Sequence, residues 1–171
     1  FLGLTPIPTG WYGPGMPEKS PAAAVTPIAS RPGSKTRFLD AAMHVIRAKG
    51  YEATTIDDVC EAAGLTKGSF FHHFDSKEDM ALAAADHFAA MADRAFAAAP
   101  YQRIRDPFDR LLAYVDFRGA ILQGDLPDYT CLLGTMVQEV YDTHPAIRAA
   151  CEKHISAHAA AVARDVAEAK K

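Results

Sequence analysis

Apolar residues recur at helical spacing from Ser34 to the end of the chain, and no long segment alternates as a strand would. In the first periodic segment, Phe38, Ala42 and Ile46 fall on one face of a helix. Ser34 can cap its start, and Gly50 can adopt the left-handed conformation that ends it. The pattern therefore predicts an all-α protein.

Three more helix starts follow within a short span. The Thr55 hydroxyl can accept from the Asp58 amide, as in a capping box, and Thr66 can cap a short third helix reaching about residue 74. Ser76 opens a fourth helix that reaches about residue 99. Small residues and Gly64 form a tight bend between the second and third helices. This arrangement predicts a helix-turn-helix.

The later helices are marked by prolines and by apolar faces. Asp106 caps a fifth helix with proline in its first turn, residues 129 to about 142 are apolar on most sides, and Pro145 opens a last helix. We expect three regions. Residues 1–33, rich in proline and glycine, form a disordered or extended leader. Residues 34–79 form a helix-turn-helix domain, and residues 80–171 form a larger helical bundle for effector binding and dimerisation.

Composition narrows the class of protein. No apolar run approaches the roughly 18 residues of a membrane span, and three cysteines do not suggest a secreted disulfide framework. We therefore expect a cytoplasmic protein with no membrane contact. The net charge of −3 is not that of a protein that coats nucleic acid. Any DNA binding must come from a local surface.

The segment from Thr54 to Glu78 resembles the DNA-binding region of the TetR family of transcriptional regulators, and the helical pattern downstream agrees with that family's regulatory domain. The resemblance implies a homodimeric repressor that leaves its duplex DNA operator when a small molecule binds or modifies the C-terminal domain. It implies that the third helix enters the major groove and that neighbouring residues meet phosphate. The DNA-contacting residues would be Thr55, Thr66, Lys67, Gly68, Ser69, Phe71, His72, His73 and Lys77.

Two features complicate DNA binding. Residues 34–79 hold six Lys or Arg and eight Asp or Glu, a net of −2, so we expect modest affinity per subunit and a steep loss with salt. Phe71 stands where the family often has tyrosine, so one phosphate hydrogen bond is lost. Family members commonly end in two long helices, of which the pattern predicts one, so a final helix could be missing from the dimer-forming region.

The run from Tyr129 to Glu139 resembles the NemR/AcuR-like branch of the family, in which a cysteine near this helix start lies close to the effector site. Amides at a helix N-terminus favour a thiolate, so Cys131 is a candidate reactive residue; the alternative is an inert packed thiol. A non-covalent ligand beside the same helix is a further alternative. The predicted effector-site residues are Cys131, Phe88, Met91, Phe108, Leu112 and Met136.

Other functions have weaker support. Cys151, His154 and His158 share a helical face, but no fourth zinc ligand is evident, so we predict neither a metal nor any other cofactor. No catalytic set or phosphate loop is recognisable, which argues against an enzyme. Two alternatives remain open. One is a helical protein-interaction module without DNA binding, and the other is a cysteine-based electrophile or redox sensor within the same family.

Overall fold

Eight α-helices and one 3₁₀ turn make up the regular structure of residues 32–171, the part of the chain that the computed structural model describes. The all-α prediction is confirmed there, and most of the predicted leader lies outside the described residues. The helices are α1 Ser34–Lys49, α2 Ile56–Ala63, α3 Lys67–Phe71, α4 Lys77–Ala98, α5 Pro107–Ala120, α6 Leu126–Tyr129, α7 Leu132–Val140 and α8 Pro145–Ala169, with the 3₁₀ turn at Pro100–Arg103.

Side-chain caps explain why the short helices start where they do. Thr55 and Asp58 form a reciprocal capping box at α2. Thr66 accepts from the Ser69 amide at α3, and Ser76 accepts from the Asp79 amide at α4. These three predicted caps are confirmed. They were predictable because each joins a side chain to an amide three residues away.

Other predicted boundaries were wrong. Ser34 does not cap α1; Gly33 occupies that position, and the Ser34 hydroxyl bonds to His73 instead. The third helix ends at Phe71 rather than near residue 74. The helix expected over residues 129–142 starts only at Leu132 and ends at Val140, because Thr130 and Cys131 have extended backbone angles; the short helix α6 lies before them.

One hydrophobic core joins the helix-turn-helix to the later helices. Phe38 of α1 contacts the rings of Phe70 and Phe74, and the same buried cluster continues through Met80 of α4 to Met136 of α7. The predicted boundary between residues 79 and 80 lies inside α4, which is continuous. The buried packing beneath α3 is therefore continuous with that of α4 and α7.

Helix α5 packs on α8 and on the 3₁₀ turn, and none of its residues is fully buried. Arg110 joins α5 to Asp165 and Glu168 of α8 through charged hydrogen bonds. Phe108 and Leu112, which we expected in an apolar interior, are instead 59% and 52% exposed. Within the described residues, no helix is long and apolar enough to cross a membrane.

Candidate DNA-reading surface

The α2–α3 elbow presents the third helix at the protein surface. Gly64 adopts the left-handed conformation (φ 62°, ψ 39°) that ends α2, and the following Leu65 packs partly against the core. Phe70 is fully buried and anchors α3 from beneath. The outer side of α3 is therefore free to meet a partner.

Arg37 of α1 supports this elbow, and sequence reasoning missed it. Its guanidinium donates to the Ala63 carbonyl at 2.6 Å and more weakly to the Gly64 carbonyl at 3.3 Å. These carbonyls are at the C-terminal end of α2, where a cation is favourable. The signal in the sequence is only a basic residue on α1, 26 positions away, so nothing local identifies the contact.

Most residues predicted to read bases share the exposed side of α3. Thr66, Lys67, Gly68 and His72 are exposed, and Ser69 is half-buried. Phe71 is 54% exposed and contacts Phe70 edge-on. A short helix with small and polar residues in its first turn and a cation beside them matches what major-groove contact requires.

An ion pair occupies the one lysine of α3. Lys67 Nζ lies 2.8 Å from Asp57 Oδ1 of α2, and both side chains are more than half exposed. The hydrogen bond to Asp57 raises the pKa of Lys67. In water such a pair is weak, so a phosphate or a guanine can compete for the ammonium. Asp57 therefore holds Lys67 in place but also puts a negative charge beside α3.

Thr55, predicted to face a phosphate, is engaged by Asp58. The Thr55 amide and hydroxyl both donate to Asp58 Oδ2, at 2.7 and 2.6 Å, and the same carboxylate pairs with Lys49 at 2.6 Å. Hydrogen bonds from Lys49 and Thr55 hold the pKa of Asp58 well below its usual range. A carboxylate thus already lies at the start of α2, where helix dipoles favour an anion. The phosphate contact of Thr55 stays a prediction.

His73 and Lys77 are also bound within the protein. His73 Nε2 is 2.6 Å from the Ser34 hydroxyl. Lys77 Nζ donates to the carbonyls of Tyr51, Glu52 and Thr54 at 3.1, 3.4 and 3.1 Å and lies 4.3 Å from the centre of the Tyr51 ring. A phosphate contact would require each side chain to leave or share these partners, so this role too stays a prediction.

The predicted effector residues do not line one cavity. A surface cavity of about 250 Å³ lies beside α7, and Cys131 is the one predicted residue among its lining. Met136, on the same helix, is fully buried in the core, and Phe88 packs partly against that core. Met91, Phe108 and Leu112 are exposed on α4 and α5. The cavity lining is Thr130, Cys131, Gly134, Thr135, Gln138 and Glu139.

The three cysteines differ in accessibility. Cys131 is exposed at the N-cap of α7, whereas Cys60 and Cys151 are buried. Burial raises the pKa of the Cys60 thiol, and it raises the pKa of Cys151 to about 11. Because the thiolate is the reactive form, the buried pair is chemically protected and Cys131 is the thiol best placed to react.

The histidines of α8 have protein partners. His154 Nε2 is 2.7 Å from Asp86 Oδ1 of α4, and His158 Nε2 is 3.0 Å from the Tyr114 hydroxyl of α5. Desolvation, followed by the charge of Arg118, lowers the pKa of His158. Among residues 32–171 no three metal-ligating side chains are grouped as a metal site would need. These histidines tie α8 to its neighbours.

Comparison with known proteins finds bacterial transcriptional regulators. Residues 38–84 match the family model described as bacterial regulatory proteins, tetR family. The repressor KstR2 of Rhodococcus jostii is 44% identical over 52 residues, which cover 30% of this chain and 26% of KstR2. The transcriptional regulator AcuR of Cereibacter sphaeroides is 32% identical over 110 residues, covering 60% of this chain and 47% of AcuR.

A solved structure extends the likeness beyond the first four helices. The reduced form of NemR from E. coli aligns with a TM-score of 0.59 at 25% identity, covering 71% of this chain and 62% of that one. The chain spans less than half the length of the two curated relatives named above. The likeness thus covers most of the described residues, including much of the helix-turn-helix region of residues 34–79, which we call the reading unit, whereas much of each relative has no counterpart here.

Proposed function

We propose that this chain, which belongs to the TetR family of bacterial regulatory proteins, is a transcriptional repressor that reads duplex DNA with α3. The observation that carries the proposal is the exposure of Thr66, Lys67, Gly68 and His72 on a short helix whose inner side is anchored by buried Phe70. Lys67 donates to guanine acceptors, and the small residues allow close approach to the bases.

We propose that the repressor acts as a homodimer. Two reading helices must reach successive major-groove turns about 34–36 Å apart, and a two-fold dimer meets that requirement with one kind of subunit. The acidic residues of the reading unit weaken the DNA affinity of each subunit, so two subunits bound together are needed for useful affinity. The similarity to the repressor KstR2 supports repression, and not activation, of transcription.

We further propose that a small molecule acting at the α7 cavity releases the DNA. Cys131 is exposed there, and α7 shares its buried core with α1 and α4. The exposed thiol supports the second candidate within the same family, a sensor that an electrophile or oxidant modifies at Cys131. In either case the ligand or modification must favour one arrangement of the two α3 helices of the dimer over another.

The test of DNA reading uses a duplex enriched from a random 30-bp library by the unmodified protein. We expect retention that falls steeply as salt rises and a loss of about tenfold in affinity for Lys67→Ala. Lys153→Ala is the matched control, because Lys153 is an exposed lysine on α8, and we expect it to bind as the parent does. Enrichment of no duplex, or equal binding by the Lys67 variant, contradicts the proposal.

A further inference from the structure

The turn that joins α1 to α2 lies between two opposite charges from other helices. Its carbonyls at Tyr51, Glu52 and Thr54 accept from Lys77 of α4, whereas its Glu52 amide donates to Glu139 Oε2 of α7 at 2.9 Å. The peptide groups of the turn thus point their oxygens to a cation and an N–H to an anion. Charged partners make these hydrogen bonds stronger than neutral ones.

Gly50 lets the α7 carboxylate approach the turn this closely. Its φ of 88° is unfavourable for other residues, and a Cβ built there would clash with the Glu139 carboxyl group. Gly50 is buried, although Glu139 itself is exposed. The atoms nearest to a Cβ at this position all belong to the Glu139 carboxyl group, so a side chain here would displace that carboxylate first.

The turn leads directly into the DNA-reading unit. Thr54 donates its hydroxyl to the Gly50 carbonyl at 2.6 Å, and the next residue, Thr55, caps α2. Helix α2 carries Asp57, which pairs with Lys67 of the reading helix. A short covalent and hydrogen-bonded path therefore runs from α7 through the turn to α2 and α3.

We propose that Glu139 is a positioning residue that fixes the 50–54 turn, and with it α2 and α3, to α7. The proposal deepens the proposed function because Glu139 also lines the cavity beside Cys131. A ligand that offers hydrogen-bond donors in that cavity competes with the Glu52 amide for the Glu139 carboxylate. Its binding removes the α7 contact and loosens the turn, which Lys77 still holds, without any need to move the buried core.

Tyr51 adds a second contact on the same route. Its ring is fully buried and meets His144, the N-cap residue of α8, edge-on at 5.3 Å between centroids. Tyr51 keeps the turn close to the α7–α8 junction when the carboxylate is removed. We therefore expect loss of Glu139 to loosen the turn and not to unfold the protein.

The experiment compares Glu139→Ala, Glu139→Gln and Glu152→Ala by hydrogen exchange of the 50–56 amides and by binding to the duplex enriched by the parent protein. Glu152 is an exposed glutamate on α8 and serves as the matched control. For Glu139→Ala we expect the Glu52 amide to exchange at least about tenfold faster and DNA affinity to fall by about threefold to tenfold. Glu139→Gln keeps an acceptor oxygen and should restore most of both.

The readouts separate this inference from the proposed function. If Glu139→Ala exchanges as slowly as the Glu152→Ala control, the contact does not hold the turn and the inference is overturned. Faster exchange with unchanged DNA affinity overturns its coupling to DNA reading. If the parent enriches no duplex, the proposed function fails, while faster exchange in Glu139→Ala with rescue in Glu139→Gln still supports the holding role.

Discussion

Replacing Lys77 with methionine separates two roles for this lysine, because the structure binds its ammonium inside the protein whereas the family resemblance assigns it to phosphate. The variant keeps the aliphatic stem but loses the charge. Two of the three carbonyl contacts have good length, at 3.1 Å, and the third is weaker at 3.4 Å. The ammonium also lies over the Tyr51 ring.

The magnitude follows from these contacts. A hydrogen bond from a charged group contributes about 1.5 kcal/mol or more, and a partly exposed cation–π contact about 0.5 kcal/mol. Because Lys77 is half-buried, hydrogen bonds to water compensate for part of the lost contacts. We therefore expect a net loss of about 2 kcal/mol in the free energy of unfolding. For a chain of this size that lowers Tm by about 6 °C.

Thermal unfolding and the salt dependence of DNA binding are then measured on Lys77→Met and on the control Lys67→Met. The control should unfold as the parent does, since its ammonium is exposed, but should bind the enriched duplex about tenfold more weakly, as expected for a lost base contact. Lys77→Met should lose stability and keep the parent slope of log affinity against log salt. An unchanged Tm together with a slope reduced by about one would refute the reasoning and favour the phosphate contact.

Three further predictions concern the reading unit and the cysteines. Asp57→Asn, which removes an anion beside Lys67, should raise affinity for the enriched duplex by about threefold at low salt; equal or weaker binding in a titration would contradict this. With iodoacetamide at pH 8, mass spectrometry should find Cys131 labelled well before the two buried cysteines; equal labelling rates would argue against its special accessibility. Gly64→Ala should cost about 1 kcal/mol in urea unfolding because φ is 62°, whereas Gly119→Ala, at an open helical site, should not destabilise.

Local chemistry made much of the reading unit predictable. The caps at Thr55, Thr66 and Ser76 join a side chain to an amide three residues away, so the sequence contains both partners in one window. The left-handed Gly64 is likewise required by its own turn. The exposure of the α3 residues follows from these local features together with the burial of Phe70.

Long-range partners were not predictable from patterns. The His73 ring forms a hydrogen bond with the Ser34 hydroxyl, 39 positions away, and the Glu139 carboxylate accepts from the Glu52 backbone amide, 87 positions away. Periodicity also could not separate core from surface in the bundle. It assigned Met136 and Phe108 alike to an apolar interior, yet the first is fully buried and the second is exposed. Burial depends on which helices pack together, and helical spacing alone does not contain that information.

The measurement that tests the central claim most directly is a titration of the ¹⁵N-labelled protein with the enriched duplex, followed by amide chemical shifts. The account predicts that the largest changes fall on Thr66–His72, with smaller changes at the start of α2 and little along the surface of α8. Changes centred on α5 or α8, with the α3 amides unmoved, would contradict the claim that α3 reads DNA.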